Sequence, residues 1–224
     1  MPEAAREIVL GSGSKVWKSL AAQPALAGWA AAAIGHADVH AFKFSAGDRV
    51  WIFSYSRREG ENLALLARLQ AAGVRELVYV SSASTIVDSI TACYDYPRVK
   101  LAAERSTLAL PQGRVLTLGL VYTHPSELPA GANIATSVAA LAEFMTARSW
   151  PASAARTRQL FDVVDRPFAG ALERRLFDVY GVLLTLSGRH ACLLRPLDLV
   201  LRSLGMRWYG YTYLSNRLWI SKMS

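Results

Sequence analysis

Cysteine is nearly absent: Cys93 and Cys192 are the only two in 224 residues. Two thiols make no disulfide framework, so a reducing compartment, the cytoplasm, is the expected setting. Long apolar runs are also missing. The nearest approach to a membrane span of about eighteen residues is the alanine-rich stretch from Ala21 to Ile34, and Pro24 and Gly28 interrupt it. The first residues, Met-Pro-Glu-Ala-Ala-Arg-Glu, lack a basic region followed by an apolar one, so no secretory signal is expected. No zinc-type spacing, lysine-rich run, recognition-helix pattern, repeat or low-complexity segment occurs. The formal net charge of +8 is therefore spread along the chain. This disfavours nucleic acid and leaves phosphorylated ligands or an anionic membrane surface as partners for the excess charge. Hydrophobic residues at 52 % and charged ones at 19 % exclude a disordered chain.

What is present alternates. Glu7-Ile8-Val9-Leu10 is a short strand ending in Gly11-Ser12-Gly13, and Ser14 to Leu20 has helical character. Trp29 to Ile34, Val39 to Phe44 and Arg49 to Ser54 read as strands. Only Ser45-Ala46-Gly47-Asp48 joins the last two, and a parallel crossover needs about a dozen residues. Either those two segments form an antiparallel hairpin, or one of them is outside the main sheet. A helix from 60 to 72, a strand from 76 to 81, a helix from 96 to 109 and a strand from 114 to 120 follow. Beyond Pro125 and Pro129 the pattern predicts helices over 133–148 and 168–180, a strand from Val182 to Leu186, and a short helix from Leu197 to Leu204. The alternation predicts an α/β fold: a doubly wound, mostly parallel, Rossmann-like sheet with a small C-terminal helical and aromatic lobe. Residues 1–125 would form the dinucleotide-binding core, and residues 126–224 would complete the sheet and add a substrate or interaction lobe.

Strand, glycine turn and helix in that order put helix-start amides where a pyrophosphate can sit, which makes Gly11, Ser12, Gly13, Ser14 and Lys15 candidate cofactor contacts. The glycine fingerprint is incomplete. Val16 takes the third position of Gly-x-Gly-x-x-Gly, and Ser14 and Trp17 take two of the three in the Gly-x-x-Gly-x-x-Gly spacing. An ordinary strand-to-helix turn remains the alternative.

Tyr96 and Lys100 lie four residues apart on one predicted helix face, fourteen residues after Ser82 at the end of Glu76-Leu77-Val78-Tyr79-Val80-Ser81-Ser82. There the lysine can favour the phenolate and the serine can hold a substrate oxygen, so the trio can pass a proton to or from a carbinol. The plain alternative is an amphipathic helix with one core aromatic and a solvated lysine. The serine register is open between Ser81, Ser82 and Ser84. Tyr94 competes with Tyr96 but has no lysine four residues on.

With Val78 to Ser84, Tyr96 to Lys100 with Glu104, and Leu118-Gly119-Leu120-Val121-Tyr122, the chain resembles the short-chain dehydrogenase/reductase superfamily, in its extended branch of epimerases, dehydratases and reductases, over residues 7 to 123. The resemblance implies Tyr96 as general acid/base, Lys100 as the residue that lowers its pKa and bonds the nicotinamide ribose, and Ser82 as the group orienting the substrate carbonyl. It implies a nucleotide-sugar or other small carbonyl or carbinol substrate, and a homodimer built on two long helices per subunit. Only eleven residues, Thr85 to Asp95, separate Ser84 from Tyr96, fewer than is usual in that branch.

For NAD the fold wants a carboxylate at the end of the second strand. That strand ends at Gly35-His36, with Asp38 a little late. With Lys15 in the turn, NADP is preferred over NAD, with His36 and Ser54 at the strand ends as further cofactor contacts. Arg57 and Arg58 lie where they could clasp a diphosphate or simply stay solvated. The basic and aromatic segment from Arg189 to Ser224 either packs over the sheet or forms a membrane-surface or partner patch. An enzyme is the leading reading. A non-catalytic scaffold or dinucleotide sensor is its rival, and a membrane-associated accessory protein of polysaccharide or lipid biosynthesis is a third class.

Overall fold

The computed structural model describes residues 6–147, 150, 155–187, 193, 196–197, 199–200, 203 and 210–223. Its centre is a six-stranded sheet of β1 (Glu7–Leu10), β2 (Ala32–Ile34), β3 (Arg49–Ile52), β4 (Glu76–Ser82), β5 (Gly113–Leu118) and β8 (Thr157–Leu160), in the order β2-β1-β3-β4-β5-β8 with every pair parallel. A parallel sheet carries its crossovers on both faces, so its central strands are apolar on both sides. Ile8, Leu10, Val50, Ile52 and Leu77 point one way, to Leu65, Leu66 and Leu69 of α2 (Glu59–Ala71) and Ala103 of α3 (Asp95–Ala109). Val9, Trp51, Val78 and Leu116 point the other way. They meet Trp17 and Leu20 of α1 (Lys15–Ala21) and Leu141, Phe144 and Met145 of α4 (Val138–Ala147).

The strand order reverses between β1 and β3. Loops diverge at such a reversal and leave a crevice outside the carboxyl ends of the strands. Gly11 lies at its rim with φ +89°, and a Cβ there would come 2.3 Å from the Ser54 carbonyl oxygen. Only glycine permits that approach of turn to strand end.

The structure corrects several sequence-based boundaries. Val39 to Phe44 is not a strand: Val39–Ala41 is a 3-10 turn, and Arg68 donates to the Val39, His40 and Phe42 carbonyls at 2.7, 3.1 and 2.6 Å. The hairpin-or-outsider question is thereby answered, since β3 alone joins the sheet. Of Trp29 to Ile34 only the last three residues are extended. The helix predicted over 133–148 is β7 (Gly131–Ser137) running straight into α4, and apolarity alone does not separate a buried strand from a buried helix. The strand predicted at Val182 to Leu186 lies inside α5 (Ala171–Ser187). The helix predicted from Leu197 to Leu204 falls mostly outside the described residues.

A second sheet branches off where the chain leaves β5. Its order is β6-β7-β9, with β6 (Leu120–Tyr122) parallel to β7 and β9 (Asp162–Arg166) antiparallel to it. The break falls at Gly119, where a Cβ would lie 2.4 Å from the Ile134 carbonyl oxygen. The last element, α6 (Gly210–Met223), lies across a 3-10 turn at Ala83–Ser89, pinned by Trp219 Nε1 donating to the Ala83 carbonyl at 2.8 Å. Among the described residues no helix is long and apolar enough to cross a membrane.

Candidate active site

Ser82 closes β4, and its hydroxyl accepts from the Ser84 amide at 3.2 Å and shares a 2.9 Å hydrogen bond with the Ser84 hydroxyl. Tyr96 sits in the first turn of α3, and its phenol lies near enough to Ser82 for the serine hydroxyl to favour the phenolate. The ring is open to solvent over 46 % of the residue's surface, while the hydroxyl end is screened. Burial pushes the phenol's pKa up, and the Ser82 hydroxyl only partly opposes it. Tyr96 is thus a neutral acid at ordinary pH.

Lys100 stands one helical turn on. Its Nζ donates to the Val80 carbonyl at 3.0 Å and the Phe53 carbonyl at 3.5 Å, and lies 4.8 Å from the Tyr79 ring centroid. Burial lowers its pKa to about 8, against the pull of the Glu104 carboxylate. Lys100 is not among the groups that shift the Tyr96 phenol. In this structure the ammonium is turned to the carbonyl ends of β3 and β4, and burial governs the phenol.

Glu104 accepts from the Ser81 hydroxyl, and burial raises its carboxyl despite hydrogen bonds from Ser81 and Thr85 and the charge of Lys100. The Ser81 hydroxyl is thus taken by Glu104, while Ser82 and Ser84 share a hydrogen bond on the side where Ser82 lies near the Tyr96 phenol. Tyr79, buried under Lys100, also has its phenol pKa raised by burial.

Four neighbours had not been assigned from sequence. Glu104 had a signal, since it lies four residues beyond Lys100 on the same face. The Val80 and Phe53 carbonyls carry none, because backbone groups leave no mark in a sequence. Tyr211 arrives from α6 to lie over Tyr96 with ring centroids 5.7 Å apart, and it also packs edge-on against Tyr94 at 5.5 Å. No local pattern predicts a contact over that chain separation.

At the glycine turn the Gly11 and Ser12 amides both donate to the Ile34 carbonyl, and the Ser14 amide donates to the Gly11 carbonyl. Ser14 caps α1 by accepting from the Trp17 amide at 3.1 Å. Among the described residues that leaves the amides of Gly13, Lys15 and Val16 without a hydrogen-bond partner. Trp17, where a third glycine would stand, is 7 % exposed and packs 5.7 Å from the Phe53 ring, inside the layer between α1 and the sheet. The indole is in the core rather than the crevice.

His36 leaves β2 and stacks on Tyr55 at 4.5 Å, its Nδ1 3.0 Å from the Tyr55 carbonyl oxygen. A Cβ on Gly35 would lie 3.4 Å from Asp38 Oδ2 and 3.6 Å from Ser12 Oγ, so a carboxylate and a hydroxyl converge at the end of β2. Ser54 is exposed beside Gly11. Arg58 pairs with Glu61 at 3.2 Å on the surface. Among the described residues no group of His, Cys, Asp or Glu could hold a metal ion.

No family model matches the sequence, and no curated protein matches it. Solved structures do match. TunA, an NAD-dependent NDP-hexosamine 5,6-dehydratase involved in tunicamycin biosynthesis, aligns with a TM-score of 0.54 at 12 % identity over 82 % of each chain. MoeE5, solved in complex with UDP-glucuronic acid and NAD, gives 0.52 at 16 % identity over 82 % of this chain and 83 % of that one. WbmG of Bordetella bronchiseptica, solved with NAD and UDP, gives 0.50 at 12 % identity over 84 % and 80 %. At such identities the likeness is one of fold. The chain has the Rossmann-like fold of these structures.

Proposed function

We propose that this chain is a nicotinamide-dinucleotide-dependent oxidoreductase or epimerase acting on a nucleotide sugar or a similar small carbonyl or carbinol compound. The observation that carries this reading is the Tyr96 phenol meeting Ser82 at the carboxyl end of β4, with the Lys100 ammonium one helical turn away. The unpartnered amides of Gly13, Lys15 and Val16 suit a diphosphate, and the close approach of Gly11 to Ser54 suits the tight turn a dinucleotide fold needs. Lys100 would reach the nicotinamide ribose. The bound nicotinamide would supply or accept the hydride.

The chain's own residues handle the proton. Ser82 holds the substrate oxygen, and neutral Tyr96 donates its proton to that oxygen as a carbonyl becomes a carbinol, or takes it back in the reverse direction. The converging Asp38 and Ser12 match a ribose with two free hydroxyls, which favours NAD. TunA, MoeE5 and WbmG are likewise described with NAD. The NADP preference drawn from Lys15 rests on one exposed side chain. Residues 1–125 as cofactor core and the remainder as substrate lobe fit this reading.

A dinucleotide-binding protein without turnover is the second reading, favoured because Lys100 is engaged by two backbone carbonyls. Incubating the protein with NAD and a panel of UDP-sugars, and following absorbance near 340 nm and product formation, tests both. Turnover on at least one sugar is expected; saturable NAD binding with no turnover on any would leave the second reading standing.

A further inference from the structure

The end of the sheet opposite Tyr96 holds a cavity of about 400 Å³ at the amino ends of β3, β4 and β5, walled by Arg49, Arg75, Arg114, Arg156, Glu76 and Trp150. Its size is within the range of small-ligand pockets. Its charge is not balanced. Glu76 takes both Arg49 and Arg114, and Arg49 reaches Glu7 at 2.9 Å as well. Arg114 also stacks over Trp150 at 5.0 Å. Among the described residues the other two guanidiniums meet no carboxylate. Arg156 donates to the neutral carbonyls of Leu110 and Leu108 at 2.7 and 2.6 Å, and Arg75 is exposed with no ion pair among the described residues. Four guanidiniums stand against two carboxylates, an excess of two positive charges around one polar cavity.

A guanidinium with an uncommitted fork beside a second unneutralised guanidinium charge is chemistry that recognises a phosphate dianion: Arg75 can donate two parallel hydrogen bonds to its oxygens, and Arg156, whose terminal nitrogens are held by the Leu110 and Leu108 carbonyls, adds its charge to the same recess. Arg49 and Arg114, already fixed by Glu76, would form a rigid floor. We propose that this arginine-walled cavity binds a phosphate-bearing ligand, at a site separate from the glycine turn and from Tyr96.

The test is calorimetric titration of the full chain with inorganic pyrophosphate. The wild type is compared with Arg75→Gln, which removes an exposed unpaired side chain and leaves the Glu76 network whole, and with Lys15→Gln at the glycine turn. A saturable event is expected that Arg75→Gln weakens about tenfold and Lys15→Gln leaves in place; any second event, at the glycine turn, would be the one that Lys15→Gln weakens. Absence of saturable binding, or a Kd indifferent to Arg75→Gln, overturns the proposal. So does a loss caused by Lys15→Gln alone, which would put the anion at the glycine turn. Flotation with vesicles containing phosphatidic acid separates the sources. Vesicle capture that Arg75→Gln abolishes identifies a lipid headgroup, and pyrophosphate binding without vesicle capture identifies a soluble phosphate.

Discussion

The two ends of the central sheet both bury polar groups, and they treat them in opposite ways. At the amino end Glu7, Arg49 and Glu76 occupy one register across β1, β3 and β4, and each charge has an opposite charge beside it. Arg114 extends the row from β5, and Trp51 Nε1 adds a hydrogen bond to Glu7 at 2.9 Å. At the carboxyl end Tyr79, Tyr96, Lys100 and Glu104 crowd together, and for each of them burial is the first cause of a shift toward the neutral form. Paired burial keeps charge in place and holds strands in register. Desolvated burial without full pairing moves Lys100 and Glu104 toward the range where protons change hands and the two phenols away from it, and perturbed groups of this kind gather at sites of chemistry.

The sharpest way to break this comparison is Tyr96→Phe. Removing the phenolic proton should lower turnover about 10²- to 10⁴-fold, while stability moves by less than about 1 kcal/mol, as steady-state kinetics and a urea titration would show. Glu76→Ala should do the reverse. It leaves Arg49 and Arg114 largely buried without their shared partner and should cost about 3 kcal/mol of stability while sparing kcat in the protein that remains folded.

Lys100 gives a pH test. Because burial lowers its folded pKa to about 8 from an ordinary value near 10.5, the folded state binds fewer protons than the unfolded one between those values, and stability from this group rises with pH across that window. The cost of burying the ammonium is fully present below about pH 8. Wild type should therefore gain on Lys100→Met as pH climbs from 8 to 10.5, read from urea midpoints at both pH values. A difference that stays constant, or moves the other way, would show that the amine is not desolvated. The smallest effect belongs to Trp219→Phe, which deletes the hydrogen bond to the Ala83 carbonyl. It should cost about 1 kcal/mol and loosen α6, with a lower Tm as the readout.

The parallel strands were readable in the sequence because both of their faces are buried, giving short apolar runs closed by turn residues such as Gly11 and Gly73. Tyr96, Lys100 and Ser82 were readable because helix periodicity and a strand end fix their neighbourhood from local sequence alone. Val39 to Phe44 misled because Val39 and the Phe42 and Phe44 rings are apolar for a different reason: they cover α2, and Arg68 ties up the carbonyls that a strand would have paired. Residues 133 to 148 misled because β7 and α4 are both buried and joined without a break. The direction of the Tyr96 shift was not readable, because it depends on how deeply the fold sinks the hydroxyl and on where Lys100 turns. The contact of Tyr211 with Tyr96 is set by tertiary packing alone.

Dinucleotide binding to the wild-type chain, followed by the fluorescence of NADH, bears most directly on the claim that the carboxyl end of the sheet is a reaction site. Saturable binding that Tyr96→Phe preserves and Lys100→Ala weakens is the predicted result. A titration that never saturates, from a protein whose Tm shows it folded, would contradict the claim.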